Sequence, residues 1–412
     1  MFLAGFDQHR HSVAMPTADV SYIDVGSGPV ALFVHGLATN AYIWQNLIGQ
    51  LSEVRRCIAL DLPLHGQSPA RPGQQLTIGA FADVLAEFIT SLGLWEIDLV
   101  GHDTGGAIAQ ILAARCPQRL RTLTLTNCET QDNIPPAAMA STVELARTGQ
   151  LVAAAPAIIG NPVAARAFFE AGYQNHEFLT TDLVEAFLDP VLGTRESAGR
   201  FQELIANLGP AELLESEPAL HQLDVPTLIV WGTDDEFFDL KWAYWLQGKI
   251  PTAYQVIEMT GAKLFFPHEN AADLAPRIQR HWDIGATASV SDATSRRTNL
   301  TNALCDAIDD YLSGEAGLAA EASLSALTHD VDVTIRELAR LGDPTWAGKM
   351  RDQWKITARL LEDAETSTPP ILSASQLNRI AAAVQTLHGL ANEPTGSAAS
   401  PADPNLRAGL SR

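Results

Sequence analysis

Basic residues are scarce in this chain: 27 Lys and Arg stand against 48 Asp and Glu, a formal net charge of −21. That surplus repels phosphate, which argues against DNA, RNA and anionic membrane surfaces as partners. Cysteine is scarce too. The four, Cys57, Cys116, Cys128 and Cys305, lie far apart in 412 residues and form no Cys-x-x-Cys pair. Neither a disulfide framework nor a zinc knuckle follows, and a reducing, cytoplasmic compartment fits best. No run reaches the roughly 18 apolar residues that a spanning helix needs. The start, Met1 to Val13, carries Asp7, His9, Arg10 and His11 where an export signal has an apolar stretch. The expectation is a soluble, unexported protein.

What is present is an alternation, up to about residue 284, of short β-branched runs with longer helical stretches, the pattern of a mostly parallel sheet covered on both faces. Strands are expected at 30–34, 56–60, 97–100, 121–126, 227–231 and 253–257, and helices at 81–92, 106–115 and 270–282. Between about 133 and 220 the strands stop. That segment is rich in Ala, Leu and Phe, with breaks expected at Pro156, Pro162, Pro190 and Pro210, and reads as a helical insertion, or cap. Residues 285–295 are small and polar, as in a linker. Four amphipathic helices are expected over 296–392, an all-α bundle domain, followed by a Pro-, Ala- and Ser-rich disordered tail at 393–412.

The chemistry concentrates in Ile97-Asp-Leu-Val-Gly-His-Asp-Thr-Gly-Gly106, a strand running into Gly101-x-Asp103-x-Gly105 and then a helix. Such a turn needs small flanking residues and presents its central side chain at the carboxyl end of the sheet. Alone, the motif is equally a helix N-cap with close-packed glycines. Its context is more specific. Strand 30–34 ends in His35-Gly36-Leu37, strand 56–60 in Asp61-Leu-Pro-Leu-His-Gly66, and strand 227–231 in Gly232-Thr-Asp234-Asp235.

In that order, over about 284 residues, these motifs resemble the α/β-hydrolase superfamily: an α/β fold with a mostly parallel sheet, helices on both faces and a helical cap. An aspartate at the elbow resembles the haloalkane dehalogenase and epoxide hydrolase branch. The resemblance implies Asp103 as a nucleophile that forms an alkyl ester, later hydrolysed by a His-activated water, with no cofactor and no metal. An aspartate suits attack at an sp³ carbon because it is ordinarily ionised at neutral pH. Leu37 and Thr104 are expected to offer backbone N–H groups to the oxyanion or leaving group, with His35 in the same loop. Asp235, or alternatively Asp234, is expected to orient the base.

The chain departs from that pattern where the family usually places its histidine. After strand 253–257 it reads Thr260-Gly-Ala-Lys-Leu264-Phe-Phe-Pro-His268, with leucine in the expected place. His268, one turn on, is the candidate base; His35, His102, His176, His329 and His388 are further sources of an imidazole. No Trp or Arg follows Asp103, and the insertion has Tyr173 as its single tyrosine and no Trp. Halide and epoxide subsites of the usual kinds are therefore incomplete. Tyr173, Phe168 and Phe169 are expected to contact an apolar small molecule. The alternatives are a lyase, isomerase or cyclase reusing the pocket, and a degenerate hydrolase that binds a ligand or assembles. The C-terminal helices are open to a homodimer, a cover for the site or a partner surface.

Overall fold

The computed structural model describes residues 3–291 and, beyond them, helical residues 348–349, 351–357, 359, 382–383 and 386. The chain divides into two compact units, Met1–Ser289 and Val290–Arg412.

Eight strands form one sheet: β1 (Arg10–Ala14), β2 (Asp19–Val25), β3 (Val30–Val34), β4 (Arg56–Leu60), β5 (Ile97–His102), β6 (Leu120–Thr126), β7 (Thr227–Gly232) and β8 (Ala253–Met259). Their spatial order is β1-β2-β4-β3-β5-β6-β7-β8. β1, β2 and β4 pair antiparallel, and all pairings from β4 through β3 to β8 are parallel. β5, β6 and β7 are buried at every residue, as expected of central strands covered on both faces. Even their charged member is paired: Asp98 on β5 accepts from Arg121 Nε at 2.8 Å and Thr122 Oγ1 at 2.8 Å.

The helices are α1 (Leu3–Asp7), α2 (Gln45–Leu51), α3 (Ile78–Ser91), α4 (Thr104–Arg115), α5 (Ala140–Arg147), α6 (Leu151–Ile159), α7 (Pro162–Glu170), α8 (Thr181–Leu192), α9 (Arg195–Ala206), α10 (Ala211–Leu220), α11 (Lys241–Lys249), α12 (Phe266–Glu269) and α13 (Ala271–Ser291). The insertion between β6 and β7 holds α5 to α10 and no strand. Pro162 and Pro210 sit at helix starts, where a missing N–H costs nothing. Pro156 and Pro190, expected as breaks, lie inside α6 and α8; each comes close to its helix's end, so tertiary packing outweighs one lost hydrogen bond.

Two further expectations change. β1 and β2 were not expected, because β1 is a largely exposed edge strand whose Arg-His-Ser-Val-Ala sequence carries little apolar alternation. Residues 285–291, expected as linker, continue α13. They contain no proline, and one glycine, at about 1 kcal/mol, does not stop an established helix. Residues 292–295 and the tail at 393–412 lie outside the described residues, as does most of the expected bundle at 296–392. Within the second unit, Trp354 is buried and Gln353 Nε2 donates to the Ala383 carbonyl at 3.3 Å.

Parallel pairing brings the carboxyl ends of β3, β5, β6, β7 and β8 to one edge of the sheet, where ligands gather in open α/β folds.

Candidate active site

At that edge β5 breaks into α4 through Asp103, whose backbone is left-handed at φ 53°, ψ −134°. An L-residue held there costs on the order of 1–3 kcal/mol, and the surroundings enforce it. The Asp103 N–H donates to the Asn127 carbonyl at 2.9 Å, and its own carbonyl accepts from Gly106 N–H at 2.8 Å. A Cβ on Gly36 would strike the Asp103 carboxyl, and one on Gly105 would strike the Val34 carbonyl. The glycines are required by this close approach of the two loops.

The Leu37 N–H donates to Asp103 Oδ2 at 3.0 Å, and Thr104 opens α4 directly after Asp103. The N-terminus of α4 adds its positive dipole end. His35 does not join Leu37 at the carboxyl: its Nδ1 donates to the Gly36 carbonyl at 2.7 Å, and its Nε2 accepts from Leu62 N–H at 2.9 Å. It holds the loop's shape, and burial keeps it neutral, with a pKa lowered to about 4.

Asp103 opens on a cavity of about 270 Å³ lined chiefly by Leu37, Met139, Phe168, Phe169, Phe201, Phe237, Leu264 and Phe265. Phe168 and Phe169, from α7, line it. Asp103 is the one ionisable side chain among the described residues of this lining.

Asp235, after β7, accepts from Asn127 Nδ2 and, at 2.8 Å, from Phe237 N–H. Burial outweighs those donors and pushes its pKa up to about 6. Asp234 is exposed and accepts from Thr233 Oγ1 at 3.0 Å, so the two aspartates are distinguished by burial.

His268 and Tyr173 lie elsewhere. The short α12 packs on α2, which takes the buried His268 between the Tyr173 hydroxyl and the Gln45 amide, each at 3.1 Å. Neither residue lines the cavity that Asp103 faces; His268 lines a different one, with Gln45, Asn46 and Phe178. The pair satisfies its own buried polar atoms, and burial lowers the His268 pKa to about 4. The expectation of His268 as base and Tyr173 as a substrate contact is thereby corrected. His102 is buried against Thr126, with Nδ1 at 3.0 Å from Oγ1, and His176 is exposed on the cap beside Glu170. His329 and His388 lie outside the described residues. Leu264 stands on the cavity wall itself.

One residue was overlooked in the sequence. Glu129, three residues past β6, is fully buried, and its Oε1 accepts from Thr104 Oγ1 at 2.7 Å. Burial pushes its pKa to about 7, chiefly against the Thr104 bond. Burial first, then the Glu129 charge, raises Asp103 well above the ordinary range against its Leu37 donor. The expectation that Asp103 is ionised unaided is thus corrected: two carboxyls share a water-poor corner and do not both ionise freely. The available signal was position, since Asn127-Cys-Glu-Thr130 directly follows a central strand's carboxyl end. No group of three His, Cys, Asp or Glu side chains among the described residues is placed to hold a metal.

Residues 29–269 match the family model described as alpha/beta hydrolase fold. The chain belongs to that family. It is 38% identical over 112 residues to a haloalkane dehalogenase of Mesorhizobium japonicum, a match covering 27% of this chain and about a third (36%) of the relative's length. It is 24% identical over 286 residues to an uncharacterized protein of Mycobacterium tuberculosis, covering 66% of this chain and 80% of that one. The crystal structure of a haloalkane dehalogenase from Bradyrhizobium elkani superposes with a TM-score of 0.58 at 24% identity, covering 68% of this chain and 99% of that one. This α/β-hydrolase-fold chain is therefore related to haloalkane dehalogenases, and its leucine at 264 lines the cavity that Asp103 faces.

Proposed function

We propose that Asp103 is a nucleophile toward a small apolar molecule with a leaving group on an sp³ carbon, in a dehalogenase- or epoxide-hydrolase-like reaction. The observation that carries this reading is the single carboxyl on a strained elbow, held by the Leu37 backbone N–H, in an otherwise apolar cavity. One oxygen is anchored by Leu37 while the carboxylate's other lone pairs serve the attack. A C–O bond forms, the carbon–halogen bond breaks and halide leaves with the electron pair; with an epoxide the ring C–O bond breaks instead. The cavity's size, just under the roughly 300 Å³ at which drug-sized pockets begin, favours a small substrate.

Hydrolysis of the resulting ester needs a water and a base, and Leu264 contributes neither. The ester is accordingly long-lived and turnover slow. The same leucine favours a second reading, in which Asp103 acts as a base in an elimination, isomerisation or cyclisation and no ester forms.

The test is intact-mass measurement after incubation with a panel of alkyl bromides and epoxides, with peptide mapping of any adduct and product analysis in ¹⁸O-water. The nucleophile reading expects an adduct on Asp103 that is absent in Asp103→Asn. Alcohol or diol released without accumulated adduct, with ¹⁸O of a single turnover in the Asp103 carboxyl and not in the product, keeps the nucleophile and assigns a faster hydrolysis. Neither adduct nor product across the panel overturns the reading.

A further inference from the structure

We infer that Glu129 is the proton-holding partner of Asp103: the Thr104 hydroxyl ties it beside the nucleophile, and it carries the proton that leaves Asp103 free to attack. For its part in the reaction, this rests on Asp103 being the nucleophile; the placement of the proton does not.

The unpartnered oxygen of Glu129 assigns the proton. Asp103 accepts the Leu37 N–H at 3.0 Å and faces the cavity at the start of a 12-residue helix. Glu129 accepts one hydroxyl on Oε1, while its Oε2 is buried and has no hydrogen-bond partner among the described residues. A carboxylate with an unpartnered oxygen in a dry site is far costlier than a neutral acid in the same place. The surroundings offer no relief. Gln110 donates to the Glu129 backbone carbonyl at 2.9 Å rather than to its carboxyl. The titratable groups acting on the pair are the Cys128 thiol, held neutral by its burial, and Asp235, which adds negative charge toward Asp103.

A consequence follows for the reaction. Displacement of halide by the Asp103 carboxylate consumes and releases no proton. Glu129 keeps its proton through the step, because its carboxylate would still lie in a dry site with an unpartnered oxygen. Glu129 is a positioning residue here, acting through Asp103.

The deciding experiment is infrared spectroscopy of the full chain at neutral pH, as a difference between wild type and Glu129→Gln. It is recorded on unlabelled protein and on protein with ¹³C at glutamate carboxyls or at aspartate carboxyls. The expected result is a protonated-carboxyl C=O band that moves to lower wavenumber with the glutamate label. A band that moves with the aspartate label puts the proton on Asp103 and overturns the inference, as does no band at all. Should Glu129→Gln not fold, Thr104→Val replaces it: loss of the hydroxyl donor is expected to carry the glutamate band to higher pH, and an unchanged band overturns the inference. With an alkyl bromide that labels Asp103, alkylation is expected to release no proton in wild type; release of one proton per adduct in wild type means that the proton sat on Asp103 and overturns the inference. Absence of any adduct counts against the nucleophile reading alone, since the infrared result stands without turnover.

Discussion

Asn127 donates its side-chain N–H to the carboxyl of Asp235. The same amide's oxygen accepts from Gly232 N–H at 2.7 Å, and the Asn127 carbonyl accepts from Asp103 N–H at 2.9 Å. One residue after β6 therefore ties the elbow after β5 to the acidic loop after β7. Replacing it by alanine leaves the buried Gly232 N–H without this acceptor and the Asp235 carboxyl with one donor fewer, at a cost of about 2–3 kcal/mol. Because the Asp235 pKa in the fold is raised above its unfolded value, ionisation of Asp235 opposes folding. That opposition is full above about pH 6 and fades as pH falls toward the unfolded value. Asn127→Ala removes a bond that eases the ionisation, so its deficit is expected to be larger at pH 8 than at pH 5. Urea unfolding midpoints at the two pH values check this; equal deficits contradict it.

A second prediction concerns His65. It is buried, its Nδ1 lies 3.1 Å from the Pro63 carbonyl, its Nε2 has no partner among the described residues, and the rings of Phe81 and Phe201 stand against it. Burial lowers its pKa to about 3. The folded state therefore refuses a proton that the unfolded chain takes up, and stability is lost as pH falls below the unfolded value near 6.5. His65→Phe removes this linkage. The variant is expected to gain on wild type by roughly 2–3 kcal/mol between pH 7 and pH 4.5, at about 1.4 kcal/mol per pH unit. Parallel stability curves over that range contradict the assignment.

The exchange at 264 gives a third. Under the nucleophile reading, Leu264 leaves the Asp103 ester without a base, and the cavity wall is where an imidazole must stand to activate water. Leu264→His is expected to shorten the lifetime of the Asp103 adduct by about 10²–10⁴-fold, the usual contribution of a positioned acid–base group. Adduct decay followed by mass is the measurement. An unchanged lifetime means that Asp235 does not orient the new imidazole.

Much of this architecture is legible in the sequence, and the reasons differ by element. β3 and β4 are continuous apolar runs bounded by turn residues, so they are found at Val30–Val34 and Arg56–Leu60 as expected. The elbow is legible because only small residues fit around Asp103. Edge strand β1 is not, since nothing buries it. Leu264 declares a missing histidine by spacing alone, but whether His268 can return to the site depends on how α12 packs, which spacing does not encode. Glu129 hides for a similar reason: an acidic residue three positions past a strand looks like a solvated loop until the Thr104 hydroxyl and the buried corner are seen in three dimensions.

The cavity's phenylalanines carry the last prediction. Phe169 is buried among Phe168, Phe187 and Phe265, with ring centroids 5.3, 5.4 and 6.1 Å away, so it serves the core as well as the cavity. Phe168, only partly buried, is the better probe of substrate contact. Its truncation opens space beside Asp103 without emptying the core behind it. Phe168→Ala is expected to slow alkylation by short alkyl bromides about 10-fold, the loss of roughly 1–2 kcal/mol of apolar contact. Longer chains that fill the new volume should lose less. Reactivity that is indifferent to both the truncation and chain length indicates that the substrate does not lie along α7, and that the apolar cavity is not what selects it.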